Sequence, residues 1–241
     1  MVAGTATTIM GMAVTTTIMA DQADTRALLR LATWLSPAFP VGSFSYSGGL
    51  EQAVHDGLVT SAEELRLWLE TLLTRGAIWN DALLLAECYQ AHDDPQRLKA
   101  ASELAEAMAG SYERHMETML QGEAFLVAAR NWPGAVFDLL GPVAAYPVAV
   151  GAVAGAHRTG LRAALAAYLG AATSNAVSAA IRSGVIGQRD GGGVLAGLES
   201  TIAAIADRAA KAPLDELGSA TIMADISSLR HETLHTRLFR S

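Results

Sequence analysis

The 241-residue sequence contains one cysteine, Cys88, and two lysines, Lys99 and Lys211. A single thiol cannot close an internal disulfide, which points to a reducing, cytoplasmic compartment. Neither lysine follows a glycine, so the phosphate cradle G-x-x-x-x-G-K-[ST] is absent and the chain does not read as an NTPase. With so few lysines and a formal net charge of −7, no basic stripe forms, which argues against nucleic acid as a partner. Charged residues amount to only 17% and hydrophobic ones to 51%, a balance that excludes disorder over most of the length. Sustained period-two alternation of β-branched residues is also missing, so essentially no sheet is predicted.

The first basic residue is Arg26, so the opening stretch lacks the charged n-region of a secretory signal. Residues 1–23 read as a disordered tail, or as the product of a start codon placed too early. Two uncharged stretches need a membrane check. "GPVAAYPVAVGAVAGA" is broken by Pro142 and Pro147 and is too short to span. "AALAAYLGAATSNAVSAAI" is nearly long enough, but it is mostly Ala with Ser, Thr and Asn, and reads as a buried central helix. No membrane partner is expected.

What is present is helical. In "TSAEELRLWLETLL", Thr60 or Ser61 can cap with Glu63 or Glu64, and Leu65, Trp68, Leu69, Leu72 and Leu73 then form one apolar stripe. Asp94 before Pro95 predicts a capped helical segment running towards Arg130. "GVLAGLESTIAAIADRA" repeats the stripe with Leu195, Leu198, Ile202 and Ile205. Prolines, glycines and serines interrupt the helices at 36–49 and 131–147, and a glycine-rich connection is predicted over 186–193. None of these is a long polar linker. One compact all-α domain over 24–241 follows.

Serines 43, 45 and 47 fail the G-x-S-x-G test for a nucleophile elbow, and Cys88 sits among apolar residues as a small buried hydrophobe. His231-Glu232-Thr233-Leu234-His235 matches H-E-x-x-H, which on a helix grips zinc with a glutamate as base. The six residues that follow, "TRLFRS", offer no usual third ligand, so the match is taken as a coincidence and no metal, cofactor or catalytic residue is expected. The same ending carries Arg230, Arg237 and Arg240 with Leu238 and Phe239. Arginine forks beside an aromatic anchor suit a partner-binding tail, although a helix docked on its own core fits the residues equally well.

Two separated motifs carry a resemblance. "LATWLSPAFPVGSFSYSGGLEQAV" at 31–54 resembles the opening signature of the urease accessory protein UreF family, and "RHETLHTRLFRS" resembles that family's ending. Between them, "AYLGAATSNAVSAAIRSGVIGQRDGGGVL" is similar to the family's central helix and following turn, with Ile186 in place of the usual Leu and Gly192 or Gly193 near a second Gln. His235 stands where the family often has Tyr, which makes H-E-x-x-H accidental. The resemblance covers about residues 26–241.

It implies an all-α, non-enzymatic, dimeric chaperone of nickel-urease maturation. Such a protein binds a UreD- or UreH-like scaffold, recruits the UreG-like GTPase, tunes its nucleotide cycle and serves nickel delivery to apo-urease. By the same resemblance Arg237 contacts the GTPase, with Leu238, Phe239, Arg240 and Ser241 beside it and Arg230, His231 and Glu232 in the same tail, about 230–241, which orders when the scaffold binds. The signature loop, with Pro40, Gly42, Ser43, Phe44, Tyr46, Gly49 and Glu51, is assigned a structural or partner-facing role, Phe44 and Tyr46 serving packing. Gly187 and Gln188 mark the glycine turn, facing partners or ending a helix. The alternatives are a zinc hydrolase using His231, Glu232 and His235, and an all-α interaction domain for unrelated partners.

Overall fold

The computed structural model describes residues 24–241, so the tail expected over 1–23 lies outside the described residues. A helix α1 over residues 24–34 leads into a loop with a 3-10 turn at Ser43–Ser45. There follow α2 (Leu50–His55), α3 (Ala62–Arg75), α4 (Ala77–Gln90), α5 (Pro95–Ala107), α6 (Tyr112–Ala129) and α7 (Val136–Leu140). The chain continues through α8 (Tyr146–Ala156), α9 (Leu161–Arg182), α10 (Gln188–Ala209), a second 3-10 turn at Leu214–Glu216, and α11 (Ile222–His231). Every regular element among the described residues is helical, as the missing alternation predicts.

Local signals account for most of the boundaries. Ser61 Oγ accepts the Glu64 amide at 3.3 Å while the Glu64 carboxylate takes the Thr60 amide at 2.8 Å, a reciprocal cap that starts α3. Asp94 Oδ1 accepts the amides of Gln96 and Arg97 ahead of the expected proline start of α5. The segment expected to run on to Arg130 is in fact two helices. Gly110 and Ser111 intervene, and Ser111 Oγ accepts the Arg114 amide at 3.1 Å to open α6. A serine that can bond its own backbone competes with helix continuation.

The glycine-rich connection expected over 186–193 is largely helical. Gly191, Gly192 and Gly193 lie inside α10, and only 183–187 connects it to α9. A Cβ on Gly191 would stand 2.9 Å from the Ile181 side chain, so this glycine serves close approach of α10 to α9. Gly187 is the N-cap and Gln188 the first residue of α10, so the pair starts a helix and does not end one.

Two helices divide the central role that the sequence assigned to one. From Pro147 to Gly155, every residue of α8 is buried, against α4, α6 and neighbouring elements. It carries no charged side chain, and two glycines let it sit close to α4. A Cβ on Gly151 would fall 2.4 Å from the Leu85 carbonyl oxygen, and one on Gly155 would fall 2.3 Å from that of Tyr89. By length and composition alone α9 could cross a membrane, yet it packs on α10, α4, α2 and α3 as part of the bundle. Only one side of α9 is buried. Gly170, Ser174 and Asn175 remain partly accessible beside a large cavity, because the described residues leave that side of the helix open.

The core closes with linked rings. Trp34 of α1 meets Phe125 and Trp132 edge-on, Phe125 meets Tyr146, and Tyr146 meets Tyr168 of α9 at 5.5 Å between centroids. After α10, the return segment is tied back across the bundle. The Trp79 indole donates to the Glu216 carbonyl, Asn80 Oδ1 accepts the Gly218 amide, and the Ala220 amide donates to the Arg75 carbonyl. These bonds deliver the chain to α11 beside α2.

The α4–α8 contact generates a stability prediction. Gly151→Ala forces the two backbones apart, and overpacking of this kind costs about 1–3 kcal/mol. A melting temperature lowered by several degrees is expected; an unchanged thermal transition would mean that the contact relaxes freely.

Candidate functional site

The resembling motifs, at opposite ends of the sequence, meet in space. Gly48 and Gly49 both adopt positive φ, which turns the chain from the 3-10 loop into α2. At Gly49 this conformation coincides with a close approach: a Cβ would lie 2.8 Å from the Ser228 amide of α11. Gly49 thus sets how closely α11 rests on α2. The Ser47 hydroxyl accepts the Glu51 amide at 3.3 Å near the start of α2 and donates to the Ser241 carbonyl at 2.5 Å, and the Ser47 amide reaches the same carbonyl at 2.6 Å. The Arg240 amide donates back to Ser45.

Glu51 lies at the centre of this junction and is buried. Its carboxylate accepts the amides of Leu238 at 2.7 Å and Phe239 at 3.1 Å, and faces His231 Nε2 at 3.0 Å. The other imidazole nitrogen faces Glu113 of α6 at 2.6 Å, and the second Glu113 oxygen accepts from Arg237 at 2.5 Å. Phe239, 3% exposed, lies under the guanidinium of Arg182, whose centre is 4.3 Å from the ring. Arg182 also donates to the Phe44 carbonyl, and Asn175 of α9 donates to that of Tyr46. The loop, the tail, α6 and α9 are joined through a single cluster.

Beside it opens a cavity of about 770 Å³ whose floor includes Asp81, Arg114, Glu117 and Tyr168. Arg114 pairs with Asp81 at 2.6 Å, Tyr168 donates to the same carboxylate oxygen, and Ser241 donates to Glu117. Burial works against the charge on Arg114, but Asp81 and Glu117 more than offset it and hold the guanidinium charged. Burial, reinforced by the Asp81 carboxylate, pushes the Tyr168 hydroxyl well above its ordinary value, so it stays a neutral donor. Burial likewise raises the Cys88 thiol, which keeps it protonated and unreactive.

The expected site residues therefore separate into groups. His231, Phe239, Ser241, Tyr46 and Glu51 are buried in the junction, while Arg237, Leu238 and Arg240 project from it. Arg230 pairs with Asp56, and the Glu232 carboxylate caps α6 by accepting the Tyr112 amide at 2.8 Å. Pro40 is exposed, and Gly42 turns the loop with a φ of 72°. Ser43 starts the 3-10 turn. Phe44 departs from the packing role given to it, being 66% exposed. Gly187 and Gln188 lie exposed at the start of α10 and are not drawn into the junction.

The zinc reading loses its premise. The helix ends at His231, so His235 does not share its helical face, and both nitrogens of His231 already face carboxylates.

Sequence reasoning missed Glu113 and Glu117, which carry no local motif, and did not single out Asn175 and Arg182 within the family-like segment of α9; it also missed the orientation of α11. The buried face of α11 is small and polar, with Ala224, Ser227 and His231. Its outward face carries Ile222, Met223, Ile226 and Leu229, exposed by 71%, 52%, 39% and 50%. The spacing of Ile222, Ile226 and Leu229 was readable as an apolar stripe, but a stripe by itself does not say that it points outward. Ile222 and Met223 also border an open groove of about 480 Å³ with Leu58, Leu67 and Trp68.

Comparison with known proteins agrees with the two motifs. The model of the UreF family matches residues 59–199. A urease accessory protein UreF of Rhizobium meliloti is 72% identical over 223 residues, covering 92% of this chain and all of the relative. One from Rhizobium leguminosarum bv. trifolii is 61% identical over the same length and the same shares. The urease accessory protein UreF 1 of Brucella canis is 57% identical over 217 residues, 90% of this chain and 95% of its own. Matched over more than half of its length by the family model, and over about nine-tenths by such relatives, the chain belongs to the urease accessory protein UreF family.

Proposed function

We propose that this chain is a non-catalytic adaptor of nickel-urease maturation, working in the cytoplasm as a homodimer. Together with a UreD- or UreH-like scaffold it recruits and regulates a UreG-like GTPase, so that nickel, the cargo, is inserted into apo-urease. The observation that carries this reading is the inverted amphipathicity of α11. A helix that turns small and polar residues inward and four large apolar residues outward is built to be covered. We assign that face to the scaffold, and the projecting Arg237, Leu238 and Arg240 to the GTPase, where a guanidinium fork can pair with carboxylates. The second copy is assigned to the accessible side of α9, whose small residues permit close helix approach. The zinc-hydrolase alternative has no comparable support, since His231 and Glu232 are both engaged in holding the tail.

Three outcomes are expected from light scattering after size-exclusion of the chain mixed with the UreD- and UreG-like proteins. Ile226→Asp places a charge in the centre of the outward stripe and should weaken scaffold binding by about 2 kcal/mol, roughly thirtyfold. Arg237→Ala should retain the scaffold while losing the GTPase. Gly170→Arg meets no atom within 4 Å of its new Cβ, so the fold should persist while the dimer becomes a monomer. Binding of both partners by all three variants at wild-type strength would refute the assignment.

A further inference from the structure

One buried carboxylate has more donors than its own helix requires. Glu51 lies in the first turn of α2, yet its side chain is committed to residues far away in the sequence. Its Oε1 accepts the Leu238 amide, and its Oε2 accepts the Phe239 amide and faces His231 Nε2. Leu238 and Phe239 lie in a bend that turns both amides towards this one carboxylate, while their side chains diverge. Gripping the amides of both residues therefore decides which of the two faces inward. Phe239 turns in beneath Arg182 and Leu238 turns out into solvent. A slip of one residue would exchange them, burying the leucine and presenting the aromatic ring.

The carboxylate also reaches Arg237 at second hand. Glu51 and Glu113 flank the His231 ring from either side, and Glu113 in turn accepts from Arg237. The chain of bonds fixes the ring, the ring fixes Glu113, and Glu113 holds the guanidinium that projects from the surface. The tail is tied elsewhere through Glu232, Arg240 and Ser241, but of the ties at His231, Arg237 and Leu238 with Phe239, two bond Glu51 directly.

We propose that Glu51 is the positioning residue that sets the register of the C-terminal tail, turning Leu238 and Arg237 outward and Phe239 inward. The geometry stands by itself, whereas its consequence for partner capture rests on the adaptor reading above.

Hydrogen exchange read by mass spectrometry on the full chain tests it, because peptides from the tail and from the core are followed separately. Glu51→Gln keeps the size of the side chain and removes the charge that strengthens these bonds. Exchange across 233–241 should rise about tenfold or more, while peptides from α4 and α8 keep their wild-type rates. Glu113→Gln, which touches the tail only through His231 and Arg237, should loosen the same peptides to a smaller degree. Unchanged tail exchange in both variants would overturn the proposal. So would acceleration spread evenly through α4 and α8, since Glu51 would then be an ordinary core residue. Mixing each variant with the UreD- and UreG-like proteins separates the two ideas. A loosened tail with undiminished complex would uphold the role of Glu51 while removing the tail from partner recognition. Failure of the wild type itself to form a complex would sink the adaptor reading alone.

Discussion

A carboxylate withdrawn from water must find donors, and Glu51 finds them in the last dozen residues of the chain. That requirement organises the functional end of the molecule. The loop before α2 must turn sharply to bring Glu51 inward, which is where two consecutive glycines take left-handed conformations. Helix α11 must lie close enough on α2 for His231 to reach the carboxylate, and the missing Cβ of Gly49 makes the space. Once His231 and the tail are seated, Phe239 is buried under Arg182, which ties the junction to the end of α9. Removing the carboxylate would leave two amides and an imidazole without their acceptor in a largely buried junction.

The rest of the bundle follows from how small residues are spent. In α8 they are turned towards other helices of the same chain, and Gly151 and Gly155 bring its axis against the backbone of α4. In α9 part of them is left uncovered, and in α11 the small residues face inward while the large ones face out. The first arrangement stabilises the monomer. The other two leave surface that a free monomer gains nothing by exposing. This division fits the adaptor role proposed above, with a densely packed centre and two helices left partly uncovered.

Much of the fold was legible because local signals were strong. Ser61 with Glu64, and Asp94 before Pro95, begin helices where capping chemistry says they should. Elsewhere the signals conflicted. The glycines of 191–193 have turn-like composition, but burying Gly191 against Ile181 favours a helix that can approach closely. The second cap at Ser111 was hidden inside an otherwise continuous helical pattern. Of the candidate site, the sequence showed the loop and tail as separate motifs, and their resemblance to one family joined them. It could not show that they touch, since Ser47 and Ser241 are separated by nearly the whole described chain. Charge partners such as Glu113 and Arg182 stay invisible for the same reason: each acts across a tertiary contact and has no companion nearby in sequence.

The pairing of Ser45 and Ser47 with Arg240 and Ser241 has a consequence for the order in which the fold closes. Contacts between residues far apart in sequence carry the larger loop-closure entropy and reward it late. The α4–α8 centre draws on partners closer in sequence, whereas the junction closes a loop of 194 residues between Ser47 and Ser241. Until it closes, Glu51 and Glu113 lack the donors that the tail supplies, and the neighbouring surface stays unfinished. A molecule with its tail displaced would share the core of the closed form while Glu51 and Glu113 face solvent, so seating the tail also decides how much negative charge this face of the bundle presents.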